Sequence, residues 1–203
     1  MANEHESQTS DAAGLKAAES PAKCPVRVAD LFSTNRPPYR PSPITVCGDT
    51  AEITLRNGGI AIVDATDVPL VIGACWRKHV SGTGGGYVST KLRGGTGKAT
   101  TIYLHRIIVQ GATAVDHIDG DGLNNRRGNL RPCTSGQNSH NRGPAKGRQF
   151  KGVFPSRARW IAAIRLNGVR HKSRSFATEE EAAAEYDRMS LELHGAFGRT
   201  NAA

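Results

Sequence analysis

The stretch "VDHIDGDGLNNRRGNLR", Val115 to Arg131, gathers three aspartates, one histidine and three asparagines around three glycines. It is too polar to be core, and its glycines mark tight turns. Asp119-Gly-Asp121-Gly has the look of a calcium-loop start, but such a loop ends on a bidentate Glu at its twelfth position. Counted from Asp119, that position is Leu130. The calcium reading fails. A solvated turn remains one reading of the stretch; half of a reactive site is the other.

The second reading rests on order and spacing. Asp116 and His117 are adjacent, Asn129 follows the histidine by twelve residues, and Asn138 comes nine later, a spacing that fits a hairpin followed by a short helix. A histidine with an ordinary pKa of about 6.5 is largely neutral at pH 7 and can take a proton from water. Carboxylate and amide oxygens suit a hard divalent cation such as Mg²⁺ or Mn²⁺.

With "TSGQNSHNR" downstream and "AIVDATD", Trp76 and "IYLHRII" upstream, the chain from Ile44 to Arg142 resembles the HNH endonucleases, in particular the phage and intron-encoded homing type with its ββα-metal fold. The resemblance implies that Asp116 is a metal ligand and His117 the general base. It further implies that Asn129 braces both the hairpin and the histidine, and that Asn138 is the second metal ligand. His140 lies two residues beyond Asn138, and positions two apart on a helix face different ways. His105, in "LHRII", is open to two readings, a structural histidine or an accessory of the site. Arg126, Arg127 and Arg131 are expected to contact phosphate.

Outward from this stretch, the 203-residue chain carries a net charge of +9, which favours a polyanionic partner. Cys24, Cys47, Cys75 and Cys133 form no CxxC pair, which argues against a zinc knuckle or a disulfide framework and for a reduced, intracellular setting. No run is apolar and long enough for a membrane span. Residues 1–43 read as a disordered tail and a proline-rich linker, "NRPPYRPSP". After it, "EITLR", Asn57-Gly58-Gly59 and "IAIV" predict a hairpin, and "YVSTKL" and "TTIYL" a second, with Leu70, Val71, Ile72 and Trp76 as core. "GGTGKAT" is not a phosphate-binding loop, because Leu92 stands where its first Gly belongs and Ala99 follows Lys98.

Lys146 to Arg174 contains nine Lys or Arg residues and no acid, whereas Glu179 to Glu192 contains six acids. Asn167-Gly168 predicts a turn between "RWIAAIRL" and "VRHKSRSF", and Thr178 with Glu181 a helix capping box. Alternation puts Trp160, Ala162, Ile164 and Leu166 against helix residues Ala183, Tyr186 and Met189. It leaves Arg159 and Arg165, and Arg170, Lys172 and Arg174 on the next strand, on a basic outer face. "KGV", "WIAAIR" and "SFATEEEAAAEYD" resemble the apetala-two/ethylene-response-factor DNA-binding domain. That likeness implies that Arg159, Arg165, Arg170 and Lys172 contact DNA. The first strand departs from that family's Arg-rich pattern at Phe154, Pro155 and Ser156.

The expected whole is an α+β protein: a β-rich nuclease domain at 44–142 with the ββα-metal motif, then a three-stranded antiparallel sheet with one helix at 146–203. Its expected work is metal-dependent cleavage of double-stranded DNA inside a bacterial or phage-infected cell, cytoplasmic or nucleoid-associated. The rival reading is a non-catalytic DNA-binding or regulatory protein whose nuclease module has decayed. RNA is a weaker expectation as partner, because the chain lacks the paired aromatic motifs of an RNA-reading sheet.

Overall fold

A computed structural model describes residue 28 and residues 40–80, 86–93 and 99–202. The expectations for most of the tail and linker, and for the turn of "RGGTGKA", lie outside these. Short strands dominate, as the low aromatic content and frequent glycines require. β1 (Ile44–Cys47), β2 (Thr50–Thr54) and β3 (Ile60–Asp64) form an antiparallel meander. Its second turn runs through Gly58 and Gly59, both with φ above +90°, a region closed to most side chains. A short helix, α1 (Val68–Val71), leads to a second meander of β4 (Arg77–Val80), β5 (Gly86–Arg93) and β6 (Ala99–Tyr103).

One core joins these two sheets. Ile53, Val63, Val71, Trp76, Val88 and Leu104 are fully enclosed in it, and the Trp76 indole N–H donates to the Val71 carbonyl at 3.0 Å. Ile72 differs from expectation: the chain leaves α1 there in extended conformation, which turns the side chain out to 52% exposure. Val28 also differs, being buried in the core although the tail was expected to stay apart from it.

The polar stretch closes the next hairpin. β7 (Ala114–His117) pairs with β8 (Leu130–Cys133) in a register that sets Asp116 opposite Arg131 and His117 opposite Leu130. α2 (Leu104–Ile108) precedes this hairpin and α3 (Ser135–His140) follows it. Thr134 starts α3: its hydroxyl accepts from the Gln137 amide, and the Gln137 side chain accepts from the Thr134 amide, satisfying donors that a helix start would leave unpaired.

β9 (Val153–Ser156), β10 (Arg159–Leu166) and β11 (Val169–Phe176) form a separate antiparallel sheet under α4 (Glu179–His194). The β10–β11 turn has Asn167 and Gly168 at φ +50° and +83°, and the Thr178–Glu181 capping box is formed. Ala162, Ile164, Tyr186 and Met189 pack together as expected. Gly152 is required twice over: its φ is +70°, and a Cβ there would enter the Tyr186 ring. The face assignment fails at one position. Ala163 pairs with Lys172 but Ile161 with Ser175, so β11 carries an extra residue and the alternation reverses beyond it. Arg170 and Lys172 stay outward, whereas the Arg174 guanidinium lies over the Phe176 ring, on the helix side.

The two units touch where α3 ends. The His140 and His194 rings stack with centroids 3.5 Å apart, and Lys151 Nζ donates to the His140 carbonyl. Among the described residues no helix is long and apolar enough to cross a membrane. Replacing Trp76 by Ala empties the centre of the first core and is expected to cost about 3–5 kcal/mol; urea unfolding followed by circular dichroism measures this.

Candidate active site

Asp116 and His117 are adjacent on a strand, so their side chains leave on opposite faces, and both are buried, 3% and 4% exposed. A carboxylate so enclosed needs donors in place of water. Arg131, across the ladder, supplies two: Nε and Nη2 lie 2.9 and 2.7 Å from Asp116 Oδ2. Asn141, the residue capping α3, supplies the third. Its amide nitrogen is 2.7 Å from the His117 carbonyl and 3.1 Å from each Asp116 oxygen. Oδ1 is therefore the lightly engaged oxygen. Asn138 lies three residues before Asn141, and positions three apart share a helix face, so the same side of α3 carries both amides.

The His117 ring is fixed by Asn125, which is fully buried. The Asn125 amide nitrogen donates to the Gly122 and Leu123 carbonyls, so its oxygen faces His117 Nε2 at 3.2 Å. That pair closes when Nε2 carries the proton, leaving the lone pair on Nδ1. Burial lowers the His117 pKa below its ordinary value, against the opposing pull of the Asn125 hydrogen bond and of Asp119, Asp116 and Asp121. The ring is neutral at pH 7. His105 packs edge-on against it, centroids 5.2 Å apart, and stacks on Tyr103. Burial, then the charges of His117 and Arg106, bring His105 down to about 3, so it too is neutral. Tyr87 touches both imidazoles.

The Asp-Gly-Asp-Gly loop is a folded unit. Asp119 Oδ1 accepts from the Asp121 amide and the Asn129 side chain, and Oδ2 from Asn124. Asn129 also accepts from the Asp119 amide at 3.0 Å. Burial pushes the Asp119 carboxyl up, but these donors outweigh it and hold the group below the usual carboxylate range. Local donors thus occupy the oxygens that a calcium ion would need. Asn129, expected to brace both the hairpin and the histidine, bonds Asp119 and the Asn124 carbonyl within the loop; the side chain touching the imidazole is Asn125.

The three arginines of the stretch divide. Arg126 bonds Asp64 at 3.0 Å and Arg127 bonds Asp67 at 2.7 Å, tying the loop to the first meander, while their side chains stay 46% and 53% exposed. Both keep donors turned to solvent. Arg131 does not: it is 18% exposed and its third nitrogen, Nη1, donates to the Ala196 carbonyl at 2.6 Å. In place of the expected phosphate contact stands an internal one, because Asp116 needs the charge. Arg159, Arg165, Arg170 and Lys172 are exposed on the second sheet, Arg165 directly opposite Arg170 and Lys172 opposite Ala163.

Asn125 and Asn141 were not singled out from the sequence. The doublet Asn124-Asn125 and the spacing Asn138-x-x-Asn141 are the only signals of them. Among the described residues no cluster of three or more His, Cys, Asp or Glu side chains could hold a metal ion; what the hairpin and α3 offer a hard cation is the lightly engaged Asp116 Oδ1 and, from the sequence position on α3, the Asn138 amide.

Among proteins of known name, a protein of Acanthamoeba polyphaga mimivirus named as an uncharacterized HNH endonuclease is 36% identical over 104 residues, covering 49% of this chain and 54% of its own. The chain thus spans about half the length of the curated relative it matches. No family model matches the chain. No solved structure matches it either.

The buried imidazoles predict acid lability. An unfolded histidine takes a proton below about pH 6.5, whereas folded His105 does so only near 3. Stability contributed by neutral His105 is therefore present above about pH 6.5 and is lost as pH falls towards 3, with a slope approaching about 1.4 kcal/mol per pH unit. Urea titrations from pH 7 to 4 should show a shallower loss in His105→Gln than in the wild type; parallel curves would contradict the assignment.

Proposed function

We propose that this protein is a metal-dependent endonuclease of the HNH type that hydrolyses phosphodiester bonds in double-stranded DNA. One observation carries the reading. Asn141, from the end of the helix after the hairpin, reaches the Asp116 carboxylate and the His117 backbone carbonyl, so hairpin and helix are joined at a buried carboxylate with one lightly engaged oxygen, next in sequence to an imidazole whose pKa is lowered by burial. The named relative supports the same class.

In this reading the β7–β8 hairpin and α3 make up the ββα-metal motif. His117 is the general base: its Nδ1, buried and without a hydrogen-bond partner in the free chain, would take a proton from a water admitted with the DNA, whose oxygen attacks phosphorus as the bond from phosphorus to the leaving oxygen breaks. Asp116 and Asn138 would hold a divalent cation, Mg²⁺ or Mn²⁺, which when bound neutralises charge on the phosphate and the leaving oxygen. Asn129 holds the loop, and Asn125 holds the imidazole in the tautomer whose Nδ1 is basic. Arg126 and Arg127 offer their solvent-facing donors to flanking phosphates.

Residues 146–203 form the DNA-binding domain of this reading, of the apetala-two/ethylene-response-factor type, and residues 44–142 the nuclease domain. Arg159, Arg165, Arg170 and Lys172 contact the duplex, and the domain raises the local concentration of scissile phosphate at the nuclease site. Arg174, on the helix side, is left out of that row. Such an enzyme works inside a cell, where its substrate is.

Purified protein with Mg²⁺ should nick supercoiled plasmid, and His117→Ala should lower the rate about 10²–10⁴-fold, the usual worth of a general base. The rate should rise with pH through a midpoint below the ordinary histidine value, because His117 must be unprotonated and burial lowers its pKa. A pH-independent rate, or a His117→Ala variant with full activity, would remove the base assignment. No cleavage of a wide range of DNA sequences would favour the non-catalytic alternative. Separately, Arg165→Ala with Lys172→Ala should reduce the log–log salt slope of duplex binding by roughly 0.9 per lost phosphate contact, read by fluorescence anisotropy.

A further inference from the structure

Arg131 is surrounded differently from every other arginine of the polar stretch. Each of its three guanidinium nitrogens has a protein partner: Nε and Nη2 go to Asp116 Oδ2, and Nη1 to the Ala196 carbonyl. Its face lies 4.2 Å from the centroid of the Phe197 ring. Ala196 and Phe197 belong to the turn Gly195–Phe197 that follows α4, some 65 residues further along the chain. The same segment continues to Arg199, whose Nη1 reaches the Asp119 carbonyl at 3.5 Å; a Cβ at Gly120 would collide with that guanidinium. The carboxyl-terminal turn is thus packed against the hairpin that holds Asp116 and His117.

The consequence for Asp116 follows from its two oxygens. Arg131 anchors Oδ2 with two charge-assisted bonds from one guanidinium, while Oδ1 has only the 3.1 Å contact to Asn141. A long, flexible arginine side chain would not hold that oxygen in place by itself. The Ala196 carbonyl and the Phe197 ring remove this freedom. We propose that Arg131 is a positioning residue for Asp116 and that the carboxyl-terminal turn, through Ala196 and Phe197, completes the candidate metal centre, so that the nuclease site is built by both units of the chain. This rests on the nuclease reading above and adds to it a structural dependence of one unit on the other.

The test uses the full-length chain and Mn²⁺ alone, with its affinity read by the loss of the free-ion paramagnetic resonance signal. Arg131→Lys keeps the charge but not the two-pronged geometry, and should weaken Mn²⁺ binding about 10–100-fold, the usual effect of removing a partner of a metal ligand. Phe197→Ala should weaken it several-fold and Phe197→Tyr should restore it. Duplex affinity at fixed salt should be unchanged in all three, and circular dichroism should show each to be folded. Unchanged Mn²⁺ affinity in both Arg131→Lys and Phe197→Ala would overturn the inference alone. Tighter binding would overturn it as well, because Arg131 would then be competing with the cation. If the wild type shows no Mn²⁺ binding that Asp116→Asn abolishes, the nuclease reading fails, and this inference with it.

Discussion

Placing the Asp116 carboxylate beside His117 in the interior puts negative charge where water cannot reach it, and much of the surrounding structure follows from supplying donors to it. Removing one partner of a buried ion pair costs about 3–5 kcal/mol, so Arg131 and Asn141 are as much a condition of folding here as of chemistry. Each comes from a different element, β8 and the end of α3. The carboxylate therefore fixes how hairpin and helix meet. His117, carried on the same strand, inherits its position from that arrangement, and Asn125 sets the orientation of its ring.

The loop between the strands reaches order by another route. Asp119 and Asp121 satisfy backbone amides within their own turn, and Asn129 and Asn124 close on Asp119. Arg126 and Arg127 then tie the loop to Asp64 at the end of β3 and to Asp67 in the turn after it. Local hydrogen bonding shapes the loop, and long-range ion pairs orient it. The acids of "AIVDATD" thus belong to the support of the site, which accounts for their place in the pattern that first suggested it.

Much of this was legible in the sequence because it depends on local spacing. The hairpins at Asn57-Gly58 and Asn167-Gly168, the Thr178–Glu181 cap and the short helix after the polar stretch all follow from turn and capping chemistry acting within a few residues. What was not legible depends on the path of the chain. Nothing local distinguishes Asn124 from Asn125, yet only one of them meets the imidazole. Arg131 reads as a surface cation until residues 65 positions away supply a carbonyl and a ring. Ile72 looks like core because it is apolar, and only the extended backbone at the end of α1 turns it outward. Asp116 and His117 were found in the sequence as a pair, whereas their partners were found only in space.

The irregularity between Ile161 and Ala163 has an effect that reaches beyond the strand containing it. By reversing the sequence of inward and outward side chains, it divides the cations of β11 into two populations, one on the outer face and one facing the acids of α4. On β11 the outward cations, Arg170 and Lys172, thereby lie near the Asn167–Gly168 end of the strand. On that strand the outward positive charge is a compact foothold and not a long track.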